Sequence, residues 1–259
     1  MSSLRWIRSI GGVAALLLSL LVVGGAGSVV AQDATPAMGQ HAMGDCVTAL
    51  GIGMEGDACI DVVHASPDAP AVDVYLDGMK ALVNLSFGAI SGWVAVPAGE
   101  HQVQVVPTGS DVSSAVIDVK VTLESGAAYQ VAATGMVVDI APQVYQVDLS
   151  ELSADQTRIR VIHTSPDAPA VDIAAKGGDV LISNLSFPAA SDYLTVPAGA
   201  YDLEVRPTGT MDVALALNGV ELEAGTVYDV FAVGTLADST LTVLVVPSTT
   251  SAMAATPAA

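Results

Sequence analysis

His64-Ala65-Ser66-Pro67-Asp68-Ala69-Pro70-Ala71-Val72-Asp73 returns 99 residues later as His163-Thr164-Ser165-Pro166-Asp167-Ala168-Pro169-Ala170-Val171-Asp172, with nine of ten residues unchanged. Asn84-Leu85-Ser86-Phe87 then matches Asn184-Leu185-Ser186-Phe187 at an offset of 100. Val96-Pro97-Ala98-Gly99 matches Val196-Pro197-Ala198-Gly199, and Pro107-Thr108-Gly109 matches Pro207-Thr208-Gly209. The offset is 99 again at Gly126 and Gly225, Tyr129 and Tyr228, and Gly135 and Gly234. Matches that keep their order across a whole unit mean a duplicated domain. Each unit has roughly 90 to 100 residues, enough for one hydrophobic core. The spacing sets them at 58–149 and 158–247, with a short polar joint between.

Inside a unit the pattern is β. Val72, Val74 and Leu76 alternate with Asp73, Tyr75 and Asp77, and the run ends at Asp77-Gly78, a hairpin signal. Val103 and Val105 alternate with Gln102 and Gln104, and Ile117, Val119, Val121 and Leu123 with Asp118, Lys120, Thr122 and Glu124. In the second unit Leu203 and Val205 stand against Asp202 and Glu204. Period-two alternation means one buried and one wet face. Seven or eight such strands per unit, punctuated by Gly and Pro, predict an all-β chain of two tandem immunoglobulin-like antiparallel β-sandwich domains. Gly99 and Gly199 are expected at positive φ in a hairpin turn. Convincing helical periodicity is absent after the first 31 residues.

The N-terminus reads as a secretory signal over residues 1–31. Arg5 and Arg8 precede an apolar run at 14–23, and Val29-Val30-Ala31 suits cleavage before Gln32. Uncut, the run from 10 to 31 is long enough to span a bilayer. Gly24, Gly25 and Gly27 break its helix first, so cleavage is the expectation and nothing then holds the chain in a membrane. Loss of Arg5 and Arg8 leaves 6 of the 8 basic residues against 27 acidic ones. Such a surface repels nucleic-acid phosphates and anionic headgroups, keeps a Val- and Ala-rich chain soluble, and attracts cations or basic partners. Cys46 and Cys59, in and just after the 32–57 linker, are expected to pair in an oxidising compartment. Twelve intervening residues do not resemble a redox or metal CxxC pair. Residues 248–259 are low-complexity and are expected to be disordered.

Two groups of side chains could carry function. His64, Ser66 and Asp68, with His163, Ser165 and Asp167, contain the letters of a hydrolase triad. Alternate strand residues lie roughly 6.5 to 7 Å apart, too far for a nucleophile–base hydrogen bond without a bend. No glycine-rich elbow follows either serine. The motif instead suits a turn, with Pro67 presetting φ, Ser66 and Asp68 bonding nearby amides, and His64 braced through Asp68 or Asp73. Asp68, Asp73 and Asp77 together raise a calcium reading, of which the second unit keeps Asp167 and Asp172. One motif histidine per unit is too few for zinc. Trp93 and Tyr193 form the second group. Alternation turns Val94, Val96, Leu194 and Val196 inward, so the two aromatics face outward, as a sugar or partner platform or as cover for a sheet edge.

The unit, with HASPDAPAVDVYLDG, NLSFG and VPAGEHQVQVVPTG, resembles the bacterial family catalogued as domain of unknown function 4397. The resemblance spans nearly all of both repeats. It implies exported or surface-associated proteins, often with tandem β-sandwich domains, and carries no established activity, ligand or catalytic residue. Ala174-Ala175-Lys176-Gly177-Gly178 replaces the first unit's Tyr75-Leu76-Asp77-Gly78, so any role of Tyr75 or Asp77 belongs to the first unit.

These readings converge on a secreted or envelope-associated module that is not an enzyme and needs no cofactor, with a protein or polysaccharide of the cell envelope as partner. The alternatives are a glycan- or calcium-binding protein using Trp93 and Tyr193 or the Asp turns, and, more remotely, a hydrolase.

Overall fold

A computed structural model describes residues 44–249. The signal segment 1–31, residues 32–43 of the linker and residues 250–259 of the tail lie outside the described residues. The first repeat contains β1 (Asp57–His64), β2 (Val72–Leu76), β3 (Met79–Leu85), β4 (Val94–Pro97), β5 (Gly99–Pro107), β6 (Ile117–Leu123), β7 (Ala128–Thr134) and β8 (Ala141–Val147). The second repeats the series as β9 (Gln156–His163), β10 (Val171–Ala175), β11 (Val180–Leu185), β12 (Leu194–Pro197), β13 (Gly199–Pro207), β14 (Leu215–Leu222), β15 (Thr226–Val233) and β16 (Thr242–Thr249). Each repeat is a sandwich of two four-stranded sheets, β4-β1-β7-β8 over β3-β2-β5-β6 and β12-β9-β15-β16 over β11-β10-β13-β14.

Strand pairing is antiparallel except for β1 with β7 and β9 with β15, which run parallel. The chain crosses to the opposite sheet between those strands, so it can return in the same direction. Asp77 and Gly78, at φ 49° and 77°, make the tight turn between β2 and β3. Gly99 and Gly199 take φ 140° and 153°, but not in a hairpin. β4 pairs with β1, whereas β5 pairs with β2 and β6, so Pro97-Ala98-Gly99 carries the chain from one sheet to the other.

A five-residue helix, α1 (Cys46–Leu50), precedes β1 and is too short to show a period in sequence. Asp45 caps its first turn by accepting from the Thr48 amide at 2.8 Å, and Gly51 ends it in the left-handed region at φ 69°. A Cys46–Cys59 disulfide, with Cα atoms 6.1 Å apart, ties the helix to β1.

The repeats share more than a linker. Val63, Ala65, Ala132 and Tyr145 of the first cluster with Ile162, Phe231, Val233 and Val246 of the second. A further cluster joins Cys59, Ala128 and Val147 to Val227. Sheets β4-β1-β7-β8 and β12-β9-β15-β16 therefore pack face to face, with equivalent ends side by side. That seam buries the second face of β1, β7, β9 and β15.

Candidate functional site

The repeated decapeptide leaves β1 and crosses to β2. His64 is fully buried, and its Nε2 donates to the Pro70 carbonyl at 3.0 Å. His163 repeats the bond to Pro169 at 3.1 Å, and burial pushes its pKa down. A carbonyl only accepts, so Nε2 carries the proton in both rings. Ser66 Oγ donates to the Gly135 carbonyl at 2.7 Å, and Asp68 accepts from the Val137 amide at 2.7 Å. Asp167 accepts from the Leu236 and Ala237 amides at 2.8 and 2.9 Å, while Ser165 Oγ leans on Asp167 at 3.4 Å. The motif is thus a clasp between the β1–β2 and β7–β8 loops, repeated between β9–β10 and β15–β16. His64 braces the turn through Pro70 rather than through Asp68 or Asp73, because Asp68 reaches across to the neighbouring loop and Asp73 belongs to a different hydrogen-bond set. Neither motif serine meets its histidine, and Ser66 points its proton at a carbonyl.

Asp73 gathers the other repeated motifs. It accepts from the Asn84 amide at 2.9 Å, Thr108 Oγ1 at 3.0 Å and Lys80 Nζ at 2.6 Å. The Lys80 hydrogen bond is the main reason its carboxyl is held down at about 2. Asp172 accepts from Asn184, Thr208 and the Gly209 amide at 2.8, 3.1 and 3.0 Å, and that glycine amide does most to lower its pKa. Asn84 and Asn184 sit at φ 57° and 55°, where the ladders of β2 with β3 and of β10 with β11 shift register. Asparagine tolerates that conformation, and the aspartate fixes its amide. Asp77 serves a third set, accepting from His101 Nδ1 at 2.7 Å and the Gln102 amide at 2.9 Å. The three aspartates of the calcium reading therefore face three different partners. Among the described residues no three His, Cys, Asp or Glu side chains converge.

Trp93 and Tyr193 do face away from their own cores, but that side is the seam, so they form no exposed platform. Both are half-buried. Trp93 Nε1 donates to Ser248 Oγ of the other repeat at 3.1 Å. Tyr193 Oη donates to Asp229 at 2.9 Å, beneath the Arg160 guanidinium 4.5 Å from its ring centre. Asp229 also pairs with Arg160 Nε, and Arg160 Nη1 donates across the seam to the Gln146 carbonyl at 2.8 Å. The first repeat sets Asp61 and Gln130 at the positions of Arg160 and Asp229, at the same offset of 99. Burial pushes Asp61 up to about 6 against its Ser91 hydrogen bond, and the Asp229 charge adds to the rise. Burial also raises Asp229, outweighing Arg160, and pushes the Tyr145 hydroxyl up to about 12. That hydroxyl donates to the Pro188 carbonyl of the other repeat at 2.7 Å.

Sequence reasoning missed this polar seam. Its one available signal was the repeat alignment, which sets Asp61 against Arg160 and Gln130 against Asp229 in strands otherwise rich in Val, Ile and Ala.

Fold and side-chain roles together define a tandem β-sandwich protein whose repeated motifs hold the sandwich shut. The chain belongs to the family described as "Domain of unknown function (DUF4397)", which matches residues 58–174 and 175–259. The division between those segments falls inside β10 rather than in the joint. No curated protein matches the chain. Among solved structures, a carbohydrate-binding module from Eubacterium rectale in complex with maltoheptaose is similar at 12% identity. That likeness covers 72% of this chain and 95% of the module, with a TM-score of 0.23. A putative cell adhesion protein from Parabacteroides distasonis matches at 10% identity over 76% of this chain and 99% of its own, with a TM-score of 0.22. The Bacillus anthracis TIE protein matches at 10% identity over 70% of this chain, TM-score 0.22, and the match spans only 34% of its length. Likenesses this distant say nothing of what the chain binds.

Proposed function

We propose that the chain is an exported, non-enzymatic module of the cell envelope or extracellular space, in which two fused sandwiches present the loops of one end to a protein or polysaccharide. The observation that carries this reading is the placement of the loops. The clasp ties the β1–β2 loop to the β7–β8 loop, and the Thr108 amide donates to Ala71 at 2.9 Å, adding the β5–β6 loop to the same end. The second repeat does the same through Thr208 and Ala170, and the seam sets the two ends side by side. The loop tips expose apolar residues, with Val138 at 83% and Met211 at 73% of full exposure. Asp111, Asp139, Asp212 and Asp238 stand on the same loops, which suits a basic or polyhydroxylated partner better than an anionic one.

The non-enzymatic part rests on the same bonds, since the motif Ser, His and Asp side chains are engaged in holding loops. Export rests on the N-terminal segment and the disulfide. No helix among the described residues is long and apolar enough to cross a membrane.

Co-sedimentation of the full chain with purified cell-wall polysaccharide or envelope fragments, repeated with Val138→Asp and Met211→Asp, tests the reading. Binding that drops at least tenfold in these variants is the expected result. Ester or glycoside turnover abolished by His64→Ala, without loss of folding, would replace the reading with a hydrolase.

A further inference from the structure

The two repeats fill the space between their sheets differently. In the second, Ile159, Ile173, Val205, Tyr228 and their neighbours form one continuous buried cluster. In the first, the equivalent positions split into two clusters, one around Ile60 and Val96 and one around Val74, Val105 and Ile117. Between them lies a cavity of about 120 Å³ whose wall draws on both.

Side-chain size at matched positions explains the difference. Val74, Val94, Val103 and Val119 of the first repeat are replaced by Ile173, Leu194, Leu203 and Leu217, each one methylene larger, and His101 by Tyr201, which packs against the second cluster, while Leu76 to Ala175 removes three carbons in the other direction. Exposure follows. Val62 and Val131 remain half-buried, whereas their counterparts Val161 and Val230 are buried. Val94, on edge strand β4, lines the cavity and is also 48% exposed, opposite Ala81 and Leu82 of edge strand β3. The cavity thus reaches the surface between those two edges.

The wall is aliphatic apart from Ser91, whose hydroxyl accepts from the Val62 amide at 2.8 Å and has its one proton shared between the Gly92 carbonyl at 2.9 Å and Asp61 at 3.2 Å. No free donor is left to hold a polar or charged guest, and the acidic exterior repels anions. Apolar cavities of about 150 Å³ stay dry and take up benzene. We propose that this cavity is a binding site, in the first repeat only, for one small neutral hydrocarbon-like molecule of about benzene size.

Methyl-detected NMR of the full chain with saturating aqueous toluene tests the site. Expected are shifts at Val62, Val74, Val103 and Val131 and none at Val161, Ile173, Leu203 or Val230. The double variant Val74→Ile with Val94→Leu copies side chains that pack in the second repeat's cluster, and it should abolish the shifts in a chain that melts no lower than the parent. Should that variant fail to fold, Val94→Leu alone, at the mouth, makes the same test. Parent methyls that do not move, shifts of equal size in both repeats, or shifts that survive in a folded filled variant would each overturn the proposal.

Discussion

The outer sheets, antiparallel throughout, and the seam sheets, each with a parallel central pair, bury themselves in different ways. In β5 and β6 of the outer sheet, valines face the core while Glu100, Gln102, Asp118 and Lys120 stay at the surface. In the seam, β1 and β9 bury both sides, including Asp61, Arg158 and Arg160. The outer sheets also bury Asp73, Asp172 and Arg206, each with partners in its own repeat, whereas the seam must neutralise charge that faces the other repeat. It does so asymmetrically, with an Arg160–Asp229 pair under Tyr193 in the second repeat and Asp61 beside Gln130 in the first. Replacing a buried ion pair by apolar residues is often neutral or stabilising, so the pair is better read as fixing how the repeats meet than as the source of their affinity. The affinity comes from Phe231, Ile162, Val63 and their neighbours.

Variants can sharpen that contrast. Phe231 is fully buried in the seam, so Phe231→Ala is expected to cost about 3–5 kcal/mol in urea unfolding. Val83→Ala, in outer strand β3 at a residue 67% exposed, should cost well under about 1 kcal/mol by the same assay. Equal losses would deny the seam its role. Asp61→Asn comes next. The folded pKa of Asp61, about 6, lies above its ordinary 3.8, so the native state binds the extra proton and stability falls as pH rises between those values. Asp61→Asn should flatten that slope and gain up to about 3 kcal/mol at pH 7. A parent whose stability does not fall over this window would contradict the seam electrostatics.

The smallest effect belongs to the outer sheet. His101 donates to Asp77 and, through Nε2, to the Pro97 carbonyl at 2.7 Å, and the Asp77 hydrogen bond raises its pKa above 6.5. Its contribution is full below pH 6.5 and is lost as pH rises through the folded value. Tyr201 makes the same carbonyl bond in the second repeat at 2.7 Å, so His101→Tyr should remove this pH dependence while keeping the fold. Melting curves at pH 5 and pH 9 compare the two proteins.

Of the strands that alternation finds in the sequence, β2, β5, β6 and β13 lie in the outer sheets, where one face is mostly wet, and β4 and β12 are edge strands of the seam sheets. β1, β7, β9 and β15 carry no such rhythm because both faces are buried, and a single chain segment does not reveal that its second face meets another repeat. The same blindness explains Trp93 and Tyr193. Alternation turns them correctly away from their own cores and cannot distinguish solvent from the seam. Turn chemistry was legible in Asp77-Gly78 and in Ser66-Pro67-Asp68. The acceptor of Ser66 and the donor to Asp68 lie 69 residues away in sequence and were not.

Calorimetric unfolding of the full chain, compared with its van't Hoff enthalpy, tests the fused two-repeat body most directly. A seam that buries the second face of both inner sheets predicts one transition with matching enthalpies, and Phe231→Ala should lower or split it. Two separate transitions in the parent, one per repeat, would show that the sandwiches fold independently and would contradict the account.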